Sequence, residues 1–197
     1  MDRVLRSIPN GMTIARIIMT ILFDFLIFKQ FLYGQDYNST LISLFIMICV
    51  SDFFDGKIAR RLGAATILGA KLDVLADLLY IVSSYAALIS THVLPLWYLV
   101  FVCIKFLEFV ATSNFIKLYK TSSEHPFIFD RVGRTVSAIF FLIPGIICIL
   151  SLFNSSNKIY IVSILLYSTF LAGIYSSYER IKSCFTIASL KYSKARK

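Results

Sequence analysis

Six long apolar runs follow one another along the chain, separated by short polar segments. Each run is about 20 residues long, which is the length of an α-helix that crosses the hydrocarbon core of a bilayer. The segments between them, such as GQDYNS, STHVLP and NSSNK, are rich in residues that favour turns. The pattern predicts six transmembrane helices, at about 12–33, 39–60, 66–90, 94–117, 134–153 and 158–179.

The two ends of the chain are basic. Residues 1–10 predict a short amphipathic juxtamembrane helix on the membrane surface, ended by Pro9. We expect the first apolar run to be a retained span, because it lacks a clear small-x-small cleavage site. Residues 180–197 predict a basic cytosolic tail. The predicted fold class is therefore an all-α integral membrane protein, with residues 1–197 forming one domain.

Composition agrees with a membrane protein. Of 197 residues, 58% are hydrophobic and 16% are charged, whereas a soluble domain is about half apolar and a quarter charged. The net charge of +9 fits anionic lipid or a cytoplasmic bias of Lys and Arg better than nucleic acid in so apolar a chain. The four cysteines lack metal-ligand spacing and are expected to be small buried residues.

Lysine and arginine residues are distributed unequally between the two sides of the predicted spans. Of the 20, only Lys29 and Lys158 fall on one side, and Lys105 lies within a span. The remainder share the other side, which the positive-inside rule identifies as the cytosol. Both termini are therefore predicted to be cytosolic, in a multi-pass protein of the cell or inner membrane.

Four aspartates lie in the stretch SDFFDGKIARRLGAATILGAKLDVLADLLY, at the predicted cytosolic ends of spans two and three. Asp52 and Asp55 are spaced i, i+3, and Asp73 and Asp77 are spaced i, i+4, so each helix presents one pair on one face. Four such carboxylates repel one another unless cations neutralise them. Hard oxygen ligands suit Mg²⁺ or Mn²⁺, and two such ions can clamp a phosphate for in-line displacement. An ordinary solvated loop with Arg and Lys partners is the alternative.

The residues between the aspartates fit a phosphate-bearing ligand. Gly56 and Gly69 allow the ligand to approach the backbone closely, and the small Ala59 keeps the cleft open. Arg60 offers a planar donor fork for a phosphate oxygen, and Thr66 adds a hydroxyl group. The predicted chemistry is therefore transfer of a phosphate-linked group at two metal ions.

These residues form a motif that resembles the signature of the CDP-alcohol phosphatidyltransferases. The chain reads Asp-x-x-Asp-Gly-x-x-Ala-Arg from Asp52, then eight residues, then Gly-x-x-x-Asp-x-x-x-Asp ending at Asp77. The segment IPNGMTIAR also resembles the Pro-Asn-x-x-Thr-x-x-Arg entry to the first span of many members. The motif covers the first 80 residues, and six spans with cytosolic termini agree with the family architecture.

The resemblance implies an enzyme that transfers a phosphatidyl group from a CDP-linked lipid to a small alcohol and releases CMP. By position, Asp52, Asp55, Asp73 and Asp77 would hold two divalent ions, and Asp77 would also be the general base. The residues implied to line the CDP-lipid site are Asn10, Thr13, Gly56, Ala59, Arg60, Thr66 and Gly69. Family members are typically homodimers, so a homodimer is expected.

The motif does not fix the acceptor alcohol. Phosphatidylglycerophosphate synthases often read LDPxADK, where this chain has Val74 and Leu78 in place of the proline and lysine. Basic residues of the later spans favour an acceptor with its own phosphate, glycerol 3-phosphate first and inositol phosphate second. Inositol and serine remain open. The predicted acceptor-binding residues are Lys105, Arg131, Arg134 and Arg180.

Other interpretations of the same residues remain. The three arginines also fit positive-inside anchors, and Lys105 could pair with Glu108 or Asp24. For Asp24, in span one, we expect a structural pairing. An intramembrane prenyltransferase also uses aspartate pairs and Mg²⁺, and a cation transporter would explain buried carboxylates. Prenyltransferases usually have more spans and carry their motifs in two separated segments. A transporter does not account for the glycines, alanine and arginine at their spacing.

Overall fold

A computed structural model describes residues 2–61, 67–119, 131–152 and 158–195, which form six α-helices and no strand within those ranges. The helices are α1 Asp2–Tyr33, α2 Asn38–Arg61, α3 Ile67–Ser90, α4 Leu96–Tyr119, α5 Arg131–Leu152 and α6 Lys158–Ala195. The all-α prediction is confirmed, and the predicted spans correspond one to one with the six helices.

Five of these helices are long and apolar enough to cross a membrane, through the segments Gly11–Tyr33, Leu72–Ser90, Leu96–Phe115, Gly133–Leu152 and Lys158–Thr186. The apolar part of α2, Asn38–Phe54, is shorter. The chain is thus a multi-pass membrane protein. Which side faces the cytosol stays a prediction.

The two outer helices are longer than the sequence suggested. Pro9 does not end the N-terminal helix, because α1 runs without a break from Asp2 to Tyr33. Helices of membrane proteins tolerate proline where neighbouring groups satisfy the freed carbonyl. At the other end, α6 continues through the predicted tail to Ala195, since no glycine or proline follows Gly173 to stop it.

The chain divides into two compact units. The first contains residues 1–96 and 141–158, and the second contains residues 97–140 and 159–197. The predicted aspartate motif falls in the first unit, and the four predicted acceptor-binding residues fall in the second. The expectation of a single domain stays a prediction.

In the first unit, α1 packs against both α2 and α3. Its buried face repeats at helical spacing through Arg16, Thr20, Phe23 and Ile27, each at most 1% exposed. Polar groups also hold the far end of α1. Gln30 donates a hydrogen bond of 3.0 Å to Ser151 Oγ on α5, and Gly34 supplies the positive φ of 66° that ends the helix.

Helices α2 and α5 approach closely because one of the facing residues has no side chain. A Cβ atom on the buried Gly145 would lie 2.3 Å from the ring of Phe45, so the aromatic side chain lies directly against the α5 backbone. The second unit uses the same device, since a Cβ on Gly173 of α6 would lie 2.5 Å from the Phe101 ring of α4. Small residues at such positions are typical of membrane helix interfaces.

We expect Gly145→Ala to destabilise the protein. The added methyl group overlaps the Phe45 ring, and overpacking of this kind costs about 1–3 kcal/mol. Thermal unfolding of the detergent-purified protein measures the effect. Gly11→Ala is the matched control, because a Cβ there meets nothing within 4 Å. Both changes add one methyl group to a helix, so equal unfolding temperatures for the two variants would contradict the prediction.

Candidate metal centre

Three carboxylates from α2 and α3 meet beside α1. Asp52 lies on α2, and Asp73 and Asp77 lie one turn apart on α3. Each residue offers one carboxylate oxygen, and the three oxygens lie within 4.8 Å of one another. The side chains are between 33% and 38% exposed, so the cluster is accessible from outside the helix bundle. The structure thus brings together three of the four predicted aspartates.

A buried arginine from α1 completes the cluster. Arg16 Nη1 donates hydrogen bonds to Asp73 Oδ1 at 3.0 Å and to Asp77 Oδ1 at 2.7 Å. The same nitrogen forms an ion pair with Asp52 Oδ1 at 3.1 Å. The arginine side chain is completely buried, and its backbone carbonyl accepts a hydrogen bond of 2.9 Å from Thr20 Oγ1. One guanidinium nitrogen therefore joins three helices.

Arg16 is a site residue that the sequence analysis did not single out. It was counted only among the basic residues of the predicted cytosolic side, although it ends the segment IPNGMTIAR. The signal that could have found it is its position inside the first apolar run, where an ionisable residue is a functional candidate. Its partners lie 57 and 61 residues away along the chain, which no local pattern shows.

The chemistry of the cluster fits a divalent cation. Among the described side chains, three carboxylates face the guanidinium of Arg16, so negative charge remains in this set when all four groups are ionised. Hard carboxylate oxygens are the ligands that Mg²⁺ and Mn²⁺ prefer. The described residues could therefore hold a metal ion between α2 and α3.

Most of the other predicted donor-site residues cannot be placed. The structure describes only the helical backbone, in α1 and α2, of five predicted residues: Asn10, Gly56, Ala59 and Arg60 of the donor site and Asp55 of the metal site.

Two of the three remaining donor-site residues, Thr13 and Gly69, are described. Thr66 lies outside the described residues altogether. Thr13 is half-buried on α1, three residues before Arg16, and the half-buried Gly69 lies in the first turn of α3. Thr13 therefore shares one side of α1 with the arginine of the cluster.

Two predicted acceptor-binding residues are held by neighbours within the second unit. Lys105 Nζ donates to Glu108 Oε2 at 2.9 Å and to Ser177 Oγ on α6 at 2.7 Å. The sequence left open whether Lys105 pairs with Glu108 or with Asp24, and the structure shows the pair with Glu108. Asp24, the other, instead accepts a hydrogen bond of 2.7 Å from Ser84 in the first unit.

Arg180 is buried on α6 against α4. Its guanidinium donates to the hydroxyl groups of Thr112 and Ser113, the latter at 3.0 Å, and lies 4.6 Å from the centre of the Phe109 ring. Arg134 is exposed near the start of α5, and the side chain of Arg131 lies outside the described part. Arg134 is thus the accessible member of the predicted set among the described side chains.

Comparison with known proteins supports a lipid-synthesising family. Residues 6–175 match the sequence profile of the CDP-alcohol phosphatidyltransferases. A cardiolipin synthase (CMP-forming) of Streptomyces coelicolor is 40% identical over 96 residues, which are 49% of this chain and 44% of that protein. A CDP-diacylglycerol–glycerol-3-phosphate 3-phosphatidyltransferase of Pseudomonas fluorescens is 33% identical over 86 residues, 44% of this chain and 43% of that protein.

A Bacillus subtilis protein of the same name as the Pseudomonas relative is 29% identical over 116 residues, 54% of this chain and 59% of that protein. The chain therefore spans about half the length of the curated relatives it matches. The family profile covers a much larger part of this chain.

We expect Asp52→Asn to weaken the binding of Mn²⁺ by the purified protein by about tenfold or more, because an amide oxygen carries no charge to attract the ion. Titration calorimetry in detergent, without lipid substrate, measures the change. Asp36→Asn is the control. Asp36 is exposed between α1 and α2, where its carboxylate accepts a hydrogen bond from the backbone N–H of Asn38. Unaltered Mn²⁺ affinity in Asp52→Asn would contradict a metal centre at this cluster.

Proposed function

The chain belongs to the CDP-alcohol phosphatidyltransferase family, and we propose that it transfers a phosphatidyl group from CDP-diacylglycerol to the hydroxyl group of an alcohol, releasing CMP. The observation that carries this proposal is the cluster of Asp52, Asp73 and Asp77, whose oxygens lie within 4.8 Å of one another. These are three of the four aspartates of the motif that the chain shares with the family.

We propose two divalent ions, Mg²⁺ or Mn²⁺, held by the three clustered aspartates together with Asp55. When bound, the ions would supply positive charge that stabilises the phosphoryl oxygens during displacement of CMP. The role of the chain is to hold four oxygen donors on two helices in a fixed arrangement. Spacings of i, i+3 on α2 and i, i+4 on α3 direct each pair to one face.

Asp77 is proposed as the general base. Its side chain is one-third exposed, so an acceptor hydroxyl can approach the carboxylate. A carboxylate within hydrogen-bond reach of the hydroxyl takes its proton as the new bond to phosphorus forms. As that bond forms, the bond from the same phosphorus to the bridging oxygen of the diphosphate breaks, and CMP leaves with that oxygen and its electron pair.

The proposed lipid donor requires a binding site where the protein meets the membrane surface. The acyl tails of CDP-diacylglycerol stay in lipid, while the cytidine diphosphate extends to the end of the bundle. The residues proposed to contact it are Asn10, Thr13, Gly56, Ala59, Arg60, Thr66 and Gly69. The predicted orientation places this face in the cytosol, where CMP is released, and a homodimer is proposed as the assembly.

Glycerol 3-phosphate is the proposed acceptor. The names of two relatives include glycerol 3-phosphate. The phosphate group of such an acceptor requires basic partners. Since Glu108 already pairs with Lys105, we propose that Arg131, Arg134 and Arg180 contribute more to acceptor binding than Lys105 does.

Cardiolipin formation is the second candidate, because the Streptomyces relative that carries this name is 40% identical over its aligned part. Inositol phosphate, inositol and serine remain as further acceptors. Family membership argues against an intramembrane prenyltransferase and a cation transporter.

Release of CMP tests the reaction and the acceptor together. Purified protein is incubated with CDP-diacylglycerol, Mg²⁺ or Mn²⁺ and one acceptor at a time: glycerol 3-phosphate, phosphatidylglycerol, inositol phosphate, inositol or serine. We expect acceptor-dependent CMP release, fastest with glycerol 3-phosphate and abolished by a chelator. Absence of CMP with every acceptor would contradict the proposed reaction, whereas a preference for phosphatidylglycerol would support the cardiolipin alternative.

We expect Asp77→Asn to lower kcat by about 10²–10⁴-fold at saturating metal, because an amide cannot accept the acceptor's proton. Binding of CDP-diacylglycerol, measured separately by calorimetry, should change little. Turnover close to that of the wild type would show that Asp77 is not the base. Loss of donor binding in the same variant would assign the residue a binding role instead.

We expect Arg134→Ala to raise the KM for glycerol 3-phosphate about tenfold or more, while the KM for CDP-diacylglycerol changes far less. Steady-state kinetics with each substrate varied in turn provides both values. Lys182→Ala is the control, because it removes an exposed cation of α6 that lies beside Tyr178. Equal increases in both KM values would count against an acceptor site at Arg134.

A further inference from the structure

The terminal nitrogen of Arg16 lies where the three carboxylate oxygens converge, at 3.1, 3.0 and 2.7 Å from Asp52, Asp73 and Asp77. We propose that Arg16 is a built-in counter-cation that competes with a divalent ion for these oxygens and has to withdraw from them when the ion binds. The inference rests on the metal centre of the proposed function, and assigns a role to a residue outside the predicted ligand set.

The distances indicate that Arg16 and a divalent ion compete for the same position among the three oxygens. Mg²⁺ requires oxygen ligands at about 2.0–2.1 Å, so an ion held by these three oxygens has to lie in the space between them. Arg16 Nη1 occupies that space, within 3.1 Å of each oxygen. Two cations so close together repel strongly, because the bundle screens charges less than water does. Coordination of the ion by these three Oδ1 atoms and all three arginine contacts therefore exclude each other.

Burial explains why the arginine occupies the cluster. Its side chain is completely buried, and a buried charge without a partner is strongly destabilising. The three carboxylates have the opposite requirement, since they repel one another unless a cation lies between them. Arg16 supplies a partner for both groups from within the chain itself. The consequence is a lower affinity for the ion.

A purely structural role predicts the opposite sign. If Arg16 served only to hold the carboxylates in place for the metal, its removal would let them move apart and would weaken metal binding. If it competes with the metal, its removal strengthens metal binding. The direction of the change therefore separates the two roles, and the measurement does not depend on turnover.

The test compares Mn²⁺ and Mg²⁺ binding by the wild-type chain, Arg16→Gln and Lys29→Gln, using titration calorimetry in detergent without lipid substrate. We expect Arg16→Gln to bind both ions at least about tenfold more tightly than the wild type. Lys29→Gln removes one positive charge from the same helix, 13 residues and about 20 Å away along its axis. We expect that control to bind within about twofold of the wild type. Unchanged or weaker binding by Arg16→Gln overturns the inference.

A structure of the wild-type chain with bound Mg²⁺ tests the same point without a substitution, should Arg16→Gln fail to fold. We expect Arg16 Nη1 to lie beyond hydrogen-bond distance of the oxygens that coordinate the ion. Persistence of all three contacts beside a bound ion overturns the inference.

The outcomes for the two proposals differ. Metal-dependent CMP release without tighter metal binding by Arg16→Gln removes this inference and leaves the reaction standing. Absence of divalent-ion binding by the wild-type chain removes the metal centre and this inference together.

Discussion

A buried guanidinium group needs carboxylates beside it, and a cluster of carboxylates needs a cation. In this protein the buried arginine and the aspartate cluster stabilise each other. Arg16 of α1 is completely buried and contacts Asp52 of α2 and Asp73 and Asp77 of α3. Loss of the arginine leaves three neighbouring carboxylates to repel one another, which is more costly than loss of an exposed ion pair. The arrangement of the first three helices therefore depends on this interaction.

Polar contacts deeper in the first unit help to maintain that arrangement. Ser84 of α3 donates a hydrogen bond to Asp24 of α1, eight residues after Arg16 and on the same side of the helix. Between these two levels, the rings of Phe23 and Tyr80 lie with their centres 6.0 Å apart. Contacts at successive levels fix how far α1 can slide or rotate against α3. The position of the arginine in the cluster is thus coupled to packing along the length of the helices.

The second unit holds its charges differently. Lys105 pairs with Glu108 and Ser177, and Arg180 contacts hydroxyl groups and an aromatic ring of α4. Such contacts join α4 to α6 at depths where an isolated charge would be unfavourable. They also show why a basic residue in a span does not by itself identify an anion site. Arg134 differs from these two residues in that its side chain is exposed.

The sequence by itself determined the six helices, because the length of an apolar run and the thickness of a bilayer are local quantities. It also identified the aspartate motif, since helical spacing alone places Asp73 and Asp77 on one face. Only the tertiary structure decided that Arg16 lies among the carboxylates and that Asp24 accepts a hydrogen bond from Ser84, 60 residues further along the chain. Those choices depend on which helices pack together and in what register. A buried charge pairs with the group that helix packing brings close to it. No local pattern in the sequence contains that information.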